Sequence, residues 1–264
     1  MTRLAAVFKG LQAQNRAGFV AYVMAGDPDA ETTLAMMRGL ADGGADILEL
    51  GVPFTDPMAD GPVIQRAAIR ALAGGMTLAG VLDLTARFRA THPDTPVILM
   101  GYANPFHAMG YEAFALAAAA AGADGVICVD IPPEEDAPLR TALEAGGLAF
   151  VRLAAPTTDD ARLPQVAAHC SGFVYYVSTT GVTGAGSGAT SDIAGAVARV
   201  RAASGLPVAV GFGVKTPGRA AEIAQVADAV VVGSAIVEAL ETNGAQAALT
   251  IARDLAAATH TARR

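Results

Sequence analysis

Gly43-Gly44-Ala45-Asp46-Ile47-Leu48-Glu49-Leu50-Gly51 is the stretch on which the reading of the fold turns. Glycine is the usual residue just past a helix C-terminus, so the Gly43-Gly44 pair closes whatever helix comes before it. A short apolar run follows, interrupted by a single carboxylate. Runs that are apolar at consecutive positions are buried on both faces, which is the habit of parallel sheets. The entry turn recurs: Ala121-Gly122-Ala123-Asp124 and Gly146-Gly147 lead into similar runs.

Working outward, the same pattern places strands at residues 19–24, 46–51, 97–102, 124–129, 148–153, 173–178, 207–211 and 229–232. Each is followed by a loop and an Ala-rich helical stretch, at a spacing of roughly 30 residues per βα unit. Such units without an evident linker, in a chain of 264 residues, predict an α/β fold. Specifically they predict one closed (β/α)8 barrel domain over residues 1–264, close to the usual size of about 250 residues. An extra helix over 4–14 precedes the first strand. The long connection between the second and third strands holds a loop over 52–61, a helix beginning near Pro62 and another over 78–90.

Composition narrows the function classes. Hydrophobic residues make up 53% of the chain and charged residues 16%, enough apolar material for a large core and too little charge for disorder. The net charge is −7, and Lys and Arg form no run, which disfavours a nucleic-acid surface. Cys128 and Cys170 read as reduced residues, not a disulfide framework. No apolar run reaches the roughly 20 residues of a membrane span. Residues 17–26 imitate a signal-peptide core but lead into Asp27-Pro28-Asp29, so they read as a buried strand and the protein as cytoplasmic.

Active sites of such barrels sit on the loops after the strands. In the second strand, alternation puts Ile47, Glu49 and Gly51 on one face and Leu48 and Leu50 on the other. Neither face suits a carboxylate without a partner, and Glu49 lies near the C-terminal end, where catalytic groups come from. The next loop, Val52-Pro53-Phe54-Thr55-Asp56-Pro57-Met58-Ala59-Asp60-Gly61-Pro62, is stiff and polar. Taken alone, Asp60-Gly61-Pro62 reads as a capped helix start and Asp56-Pro57 as a turn.

Two glycine loops, Val210-Gly211-Phe212-Gly213-Val214 and Val232-Gly233-Ser234-Ala235, follow the seventh and eighth strands. The second opens a helix over 236–241. Barrels bind phosphate there, on backbone N–H groups and a helix N-terminus. A third glycine-rich loop, 181–188, reads as a lid. Lys9 and Lys215 lie outside the strands, which argues against a Schiff-base aldolase. His92, His107, His169 and His260 share no metal-ligand spacing, so no metal is expected.

The segment from Leu48 to Pro62 closely resembles the signature of the tryptophan synthase α subunit family. Tyr102-Ala103-Asn104-Pro105, Asp130-Ile131-Pro132, Ser178-Thr179-Thr180-Gly181-Val182-Thr183-Gly184, Gly211-Phe212-Gly213 and Gly233-Ser234 follow in the family's order along essentially the whole chain. The resemblance implies a lyase of tryptophan biosynthesis that cleaves indole-3-glycerol phosphate to indole and glyceraldehyde 3-phosphate. It implies Glu49 as the acid–base group and Asp60 as acceptor of the indole N–H. Thr183 would orient Asp60, and Tyr175 would help position Glu49. It assigns phosphate to Gly184, Gly213, Gly233 and Ser234, and the indole ring to Tyr22, Met100 and Phe212. It implies an allosteric α2β2 heterotetramer with a β subunit that carries pyridoxal phosphate, this chain needing no cofactor of its own. Pro53, Phe54, Asp56, Pro57 and Asn104 would contact that partner.

Two positions depart from the family pattern: Tyr22 stands where Phe is common, and Thr179-Thr180 replace an Arg-containing lid. Three alternatives stay open at the level of sequence. They are a free-standing lyase on the same substrate, a different barrel chemistry on a phosphosugar, and a catalytically silent subunit that regulates β.

Overall fold

The computed structural model describes residues 1–178, 190–211 and 213–263. Its strands are β1 (Gly18–Met24), β2 (Ile47–Gly51), β3 (Val97–Gly101), β4 (Gly125–Cys128), β5 (Ala149–Ala154), β6 (Val174–Val177), β7 (Val208–Gly211) and β8 (Ala229–Val232). They close into a barrel in the order β1 to β8, every neighbouring pair parallel. Each expected strand is present, shifted by at most a residue or two at its ends.

The helices are α1 (Arg3–Ala13), α2 (Ala30–Asp42), α3 (Pro62–Ala73), α4 (Leu78–Arg89), α5 (Ala103–Met109), α6 (Tyr111–Ala121), α7 (Ala137–Ala145), α8 (Leu163–Ala167), α9 (Thr190–Ser204), α10 (Pro217–Ala224), α11 (Ser234–Asn243) and α12 (Ala245–Thr261). The extra helices α1, α3 and α4 stand where the sequence places them. Helix α5 was not expected. None of the described helices is by itself long and apolar enough to cross a membrane.

Alternation along the strands sorts the apolar residues into two layers. Val20, Ile47, Ile98, Ile127, Val151, Phe173, Ala209 and Ala229 fill the barrel interior, and Leu4, Phe8 and Leu11 of α1 join that cluster. Phe8 meets Phe173 with ring centroids 5.7 Å apart. Helix α1 therefore plugs the end at which the strands begin, and the opposite end is left for a site. Leu48, Leu50, Val97, Leu99, Val208 and Val210 face outward against the helices.

A polar residue ahead of each even strand fixes the start of the strand before it. Asp46, Asp124 and Asp228 accept the backbone N–H of Phe19, Val97 and Val208 at 2.8–2.9 Å. Each pairs with arginine: Arg16, then Arg3 and Arg89, then Arg201. Ser171 Oγ does the same for Phe150 N–H at 2.9 Å. These clamps set the register that brings Tyr22 beside Glu49 and Gly51 beside Met100 at the far rim.

Candidate active site

At the C-terminal ends of the strands lies a cavity with about 570 Å³ of space, open at its mouth. Tyr22, Glu49, Asp60, Ile64, Met100, Tyr175, Gly213, Val214, Lys215, Val231, Gly233 and Ser234 form its wall. Eight of the residues singled out by sequence are thus brought together: Tyr22, Glu49, Asp60, Met100, Tyr175, Gly213, Gly233 and Ser234. Thr183, Gly184, Phe212 and the Thr179-Thr180 pair lie outside the described residues.

Glu49 points inward, on the same face as Ile47, and is 1% exposed. Its Oε1 has no hydrogen-bond partner among the described residues. With nothing to offset the loss of water, burial raises its pKa to about 8. Tyr175, on the same wall, is held well above the usual phenol range by burial and then by the charge of Glu49. The two tyrosine hydroxyls fit because strands β2 and β7 end in glycine. A Cβ on Gly51 would lie 2.1 Å from Tyr22 Oη, and one on Gly211 2.1 Å from Tyr175 Oη.

Asp60 is not the cap of α3. Gly61 is the N-cap residue, and no side chain caps that helix. The Asp60 backbone is held by a bond from its N–H to Pro57 O at 3.0 Å and by Gln65 Nε2, which donates to its carbonyl at 2.8 Å. Its carboxylate is thereby left for the cavity. Burial raises its pKa to about 6, and a hydrogen bond from Tyr102 works in the opposite direction. Burial thus raises the pKa of both carboxyl groups, Glu49 further than Asp60.

Across the cavity, Gly213 has φ of 74°, a left-handed conformation that favours glycine. Gly233 is the N-cap residue of α11 and Ser234 its first residue. The first-turn N–H groups of a helix lack partners within it and attract anions. Lys215 is the only Lys or Arg on the described wall. Sequence reasoning set it aside because it is not on a strand; its place just after the Gly213 loop was the available signal. Tyr102, directly after β3, was also missed.

The partner-contact candidates lie beside this site. Phe54 rests on the Tyr102 ring, with centroids 5.2 Å apart. Asp56 and Asn104 are exposed, as is Met58 at 79%. Pro57 is half-buried, and Pro53 is buried beneath the loop. Both cysteines are free, and no group of three or more metal-ligating side chains occurs among the described residues.

Fold and site together define a (β/α)8-barrel protein with two carboxylates on the wall of a cavity at the C-terminal ends of its strands. The model of the tryptophan synthase alpha chain family matches residues 8–263. The tryptophan synthase alpha chain of Caulobacter sp. (strain K31) is 60% identical over 262 residues, covering 97% of this chain and 95% of that protein. The crystal structure of tryptophan synthase subunit alpha from Legionella pneumophila str. Paris superposes with a TM-score of 0.90 at 40% identity, covering 98% of each chain. A Mycobacterium tuberculosis tryptophan synthase structure gives 0.91 at 40% identity, again over 98% of each chain. The chain belongs to the tryptophan synthase alpha chain family, and it is a lyase.

Proposed function

We propose that Glu49 and Asp60 divide the retro-aldol cleavage of indole-3-glycerol phosphate between them. The observation that carries this reading is their shared wall: Glu49 raised to about 8 and Asp60 to about 6. At pH 7 a group of pKa about 8 is roughly 90% protonated. Glu49 gives its proton to indole C3. Asp60 accepts the indole N–H and balances the positive charge that develops on the ring. The Glu49 carboxylate then takes the proton of the glycerol hydroxyl next to the scissile bond. That oxygen forms the aldehyde carbonyl, the carbon–carbon bond breaks, and its electron pair restores the indole. Protons balance, and Glu49 ends as it began.

Tyr175 packs beside Glu49 and helps to position it, and Thr183 orients Asp60. The indole ring lies among Tyr22, Met100 and Phe212. The phosphate is received by backbone groups of Gly184, Gly213 and Gly233 and by Ser234, with Lys215 as the nearby cation. The loop carrying Phe54, Asp56 and Pro57, held from below by Pro53, contacts a pyridoxal-phosphate-dependent β subunit together with Asn104. The assembly is an α2β2 heterotetramer in the cytoplasm, and indole passes to β.

The test is indole release from indole-3-glycerol phosphate by the purified chain, with and without a tryptophan synthase β subunit. Weak activity alone that rises strongly with β is expected. Asp60→Asn is expected to lose at least about 100-fold in kcat, within the usual range for an acid–base group. High activity that ignores β would identify a free-standing lyase. Full turnover by the Asn variant would remove Asp60 from the mechanism.

A further inference from the structure

Tyr102 belongs to neither the expected catalytic set nor the expected partner set, yet it touches both. It follows β3 directly, is 3% exposed, and is the N-cap residue of α5, two residues ahead of Asn104. Its ring lies against Phe54, 5.2 Å between centroids and tilted by 32°. Its hydroxyl accepts the N–H of Ala59, the residue next to Asp60, at 3.1 Å.

The polarity of this arrangement is fixed. An amide N–H can only donate, so the hydroxyl oxygen must accept from Ala59. Its single proton is then free to turn toward the Asp60 carboxylate, which when ionised can only accept it. The hydroxyl therefore favours the charged, accepting form of Asp60. A tyrosine that gave up its proton could not do this, and burial followed by the charge of Asp60 keeps this phenol protonated. The other ionisable groups facing this corner are Tyr22 on β1, Glu49 on β2 and Asp130 beyond β4.

The ring and the hydroxyl thus hold opposite ends of one loop. Phe54 is at its partner-facing end and Asp60 at its cavity end. Pressure on Phe54 and Asn104 from a docked subunit meets a rigid phenol whose other end holds the backbone beside Asp60. We propose that Tyr102 is a positioning residue that orients Asp60 and links it mechanically to the partner-facing surface of the Phe54–Asn104 corner. This rests on the reading of Asp60 given above.

Tyr102→Phe keeps the ring on Phe54 and removes only the hydroxyl. It is expected to lower kcat for indole release about 10- to 100-fold, with KM within about two-fold, and to move the acid limb of the kcat–pH profile upward. Its relative stimulation by β should fall as well, because the link to the Asp60 end of the loop runs through the hydroxyl. Phe54→Ala keeps the hydroxyl and removes the ring contact. At saturating β it should reduce the ratio of stimulated to unstimulated activity at least about three-fold. Asp60→Asn is measured alongside. If it is inactive while Tyr102→Phe keeps the wild-type kcat and pH profile, Tyr102 only packs and the proposal fails while the mechanism stands. If Phe54→Ala leaves the stimulation ratio unchanged, the mechanical link fails. If Asp60→Asn retains full turnover, both the mechanism and the proposal fall.

Discussion

Glu49 is kept in a state that opposes folding. Its carboxyl titrates near 4.5 without the protein environment and near 8 within it. Below pH 4.5 folded and unfolded chains both hold the proton. Between these values the unfolded chain ionises and the folded one does not, so stability is lost as pH rises. By the relation of 1.36 kcal/mol per unit, the loss reaches about 3 kcal/mol at pH 7. Glu49→Gln should therefore be inactive yet more stable than the wild type by about 2–4 kcal/mol at pH 7.5, the gap closing toward pH 4.5. Urea unfolding at several pH values tests this, and a gap independent of pH would show that Glu49 is not held protonated. Alternation made legible that Glu49 shares a face with Ile47 and Gly51, though not which face looks inward. The isolation of Glu49 was not legible, because that depends on Tyr22 leaning over Gly51 from a strand 27 residues earlier in register. Asp60 was ambiguous for a similar reason. The motif Asp60-Gly61-Pro62 reads locally as a cap, and only the observed cap at Gly61 leaves the carboxylate to the cavity.

The strands were read nearly to the residue because burial on both faces leaves a continuous apolar trace. The clamps that register them were half legible. Gly44-Ala45-Asp46 and Gly122-Ala123-Asp124 resemble one another in sequence. Val226-Ala227-Asp228 and Ser171 do the same work without the glycine, because the work is done by the side-chain acceptor. Helix α5 was not read from the sequence, since an Asn-Pro pair such as Asn104-Pro105 is a common turn opener. Pro105 is the third residue of that helix, where an N–H would have no intrahelical partner, so proline is tolerated. The first clamp also carries α12, since His260 Nε2 lies 2.9 Å from Asp46 Oδ2. Burial works against the Asp46 charge, but His260, Arg16 and the Phe19 N–H outweigh it and hold its pKa below the ordinary 3.8. Such a group stabilises the fold above its unfolded pKa, and the contribution fades as pH falls through the lower folded value. Asp46→Asn should cost about 1–3 kcal/mol at pH 7, with the difference shrinking below pH 4. Equal stability at pH 7 would mean that the clamp is ornamental to the barrel.

At the scale of the whole molecule the closed ring puts loops that are far apart in sequence around one mouth, and the balance of charge there differs from that of the chain. The protein carries a net −7, and two carboxylates line the cavity. The proposed substrate has a phosphate of charge about −1.5 to −2, so the general field opposes its entry. Lys215 is the one cationic side chain on the described wall, which it shares with Gly213, Gly233 and Ser234. It is exposed, so its attraction is a screened one, acting over a Debye length of about 8 Å at physiological salt. Lys215→Ala should raise KM roughly three- to ten-fold and leave kcat nearly unchanged, the pattern of lost uniform binding. Salt supplies the sharper test. In the wild type, rising ionic strength weakens the Lys215–phosphate attraction and KM climbs. In the variant only repulsion remains to be screened, so KM should stay level or fall. Lys9→Ala removes the same charge from α1, at the closed end of the barrel, and should reproduce neither effect. If the two variants behave alike, the substrate responds to the net charge of the molecule; if only Lys215→Ala reverses the salt dependence, the local field at the rim governs its capture.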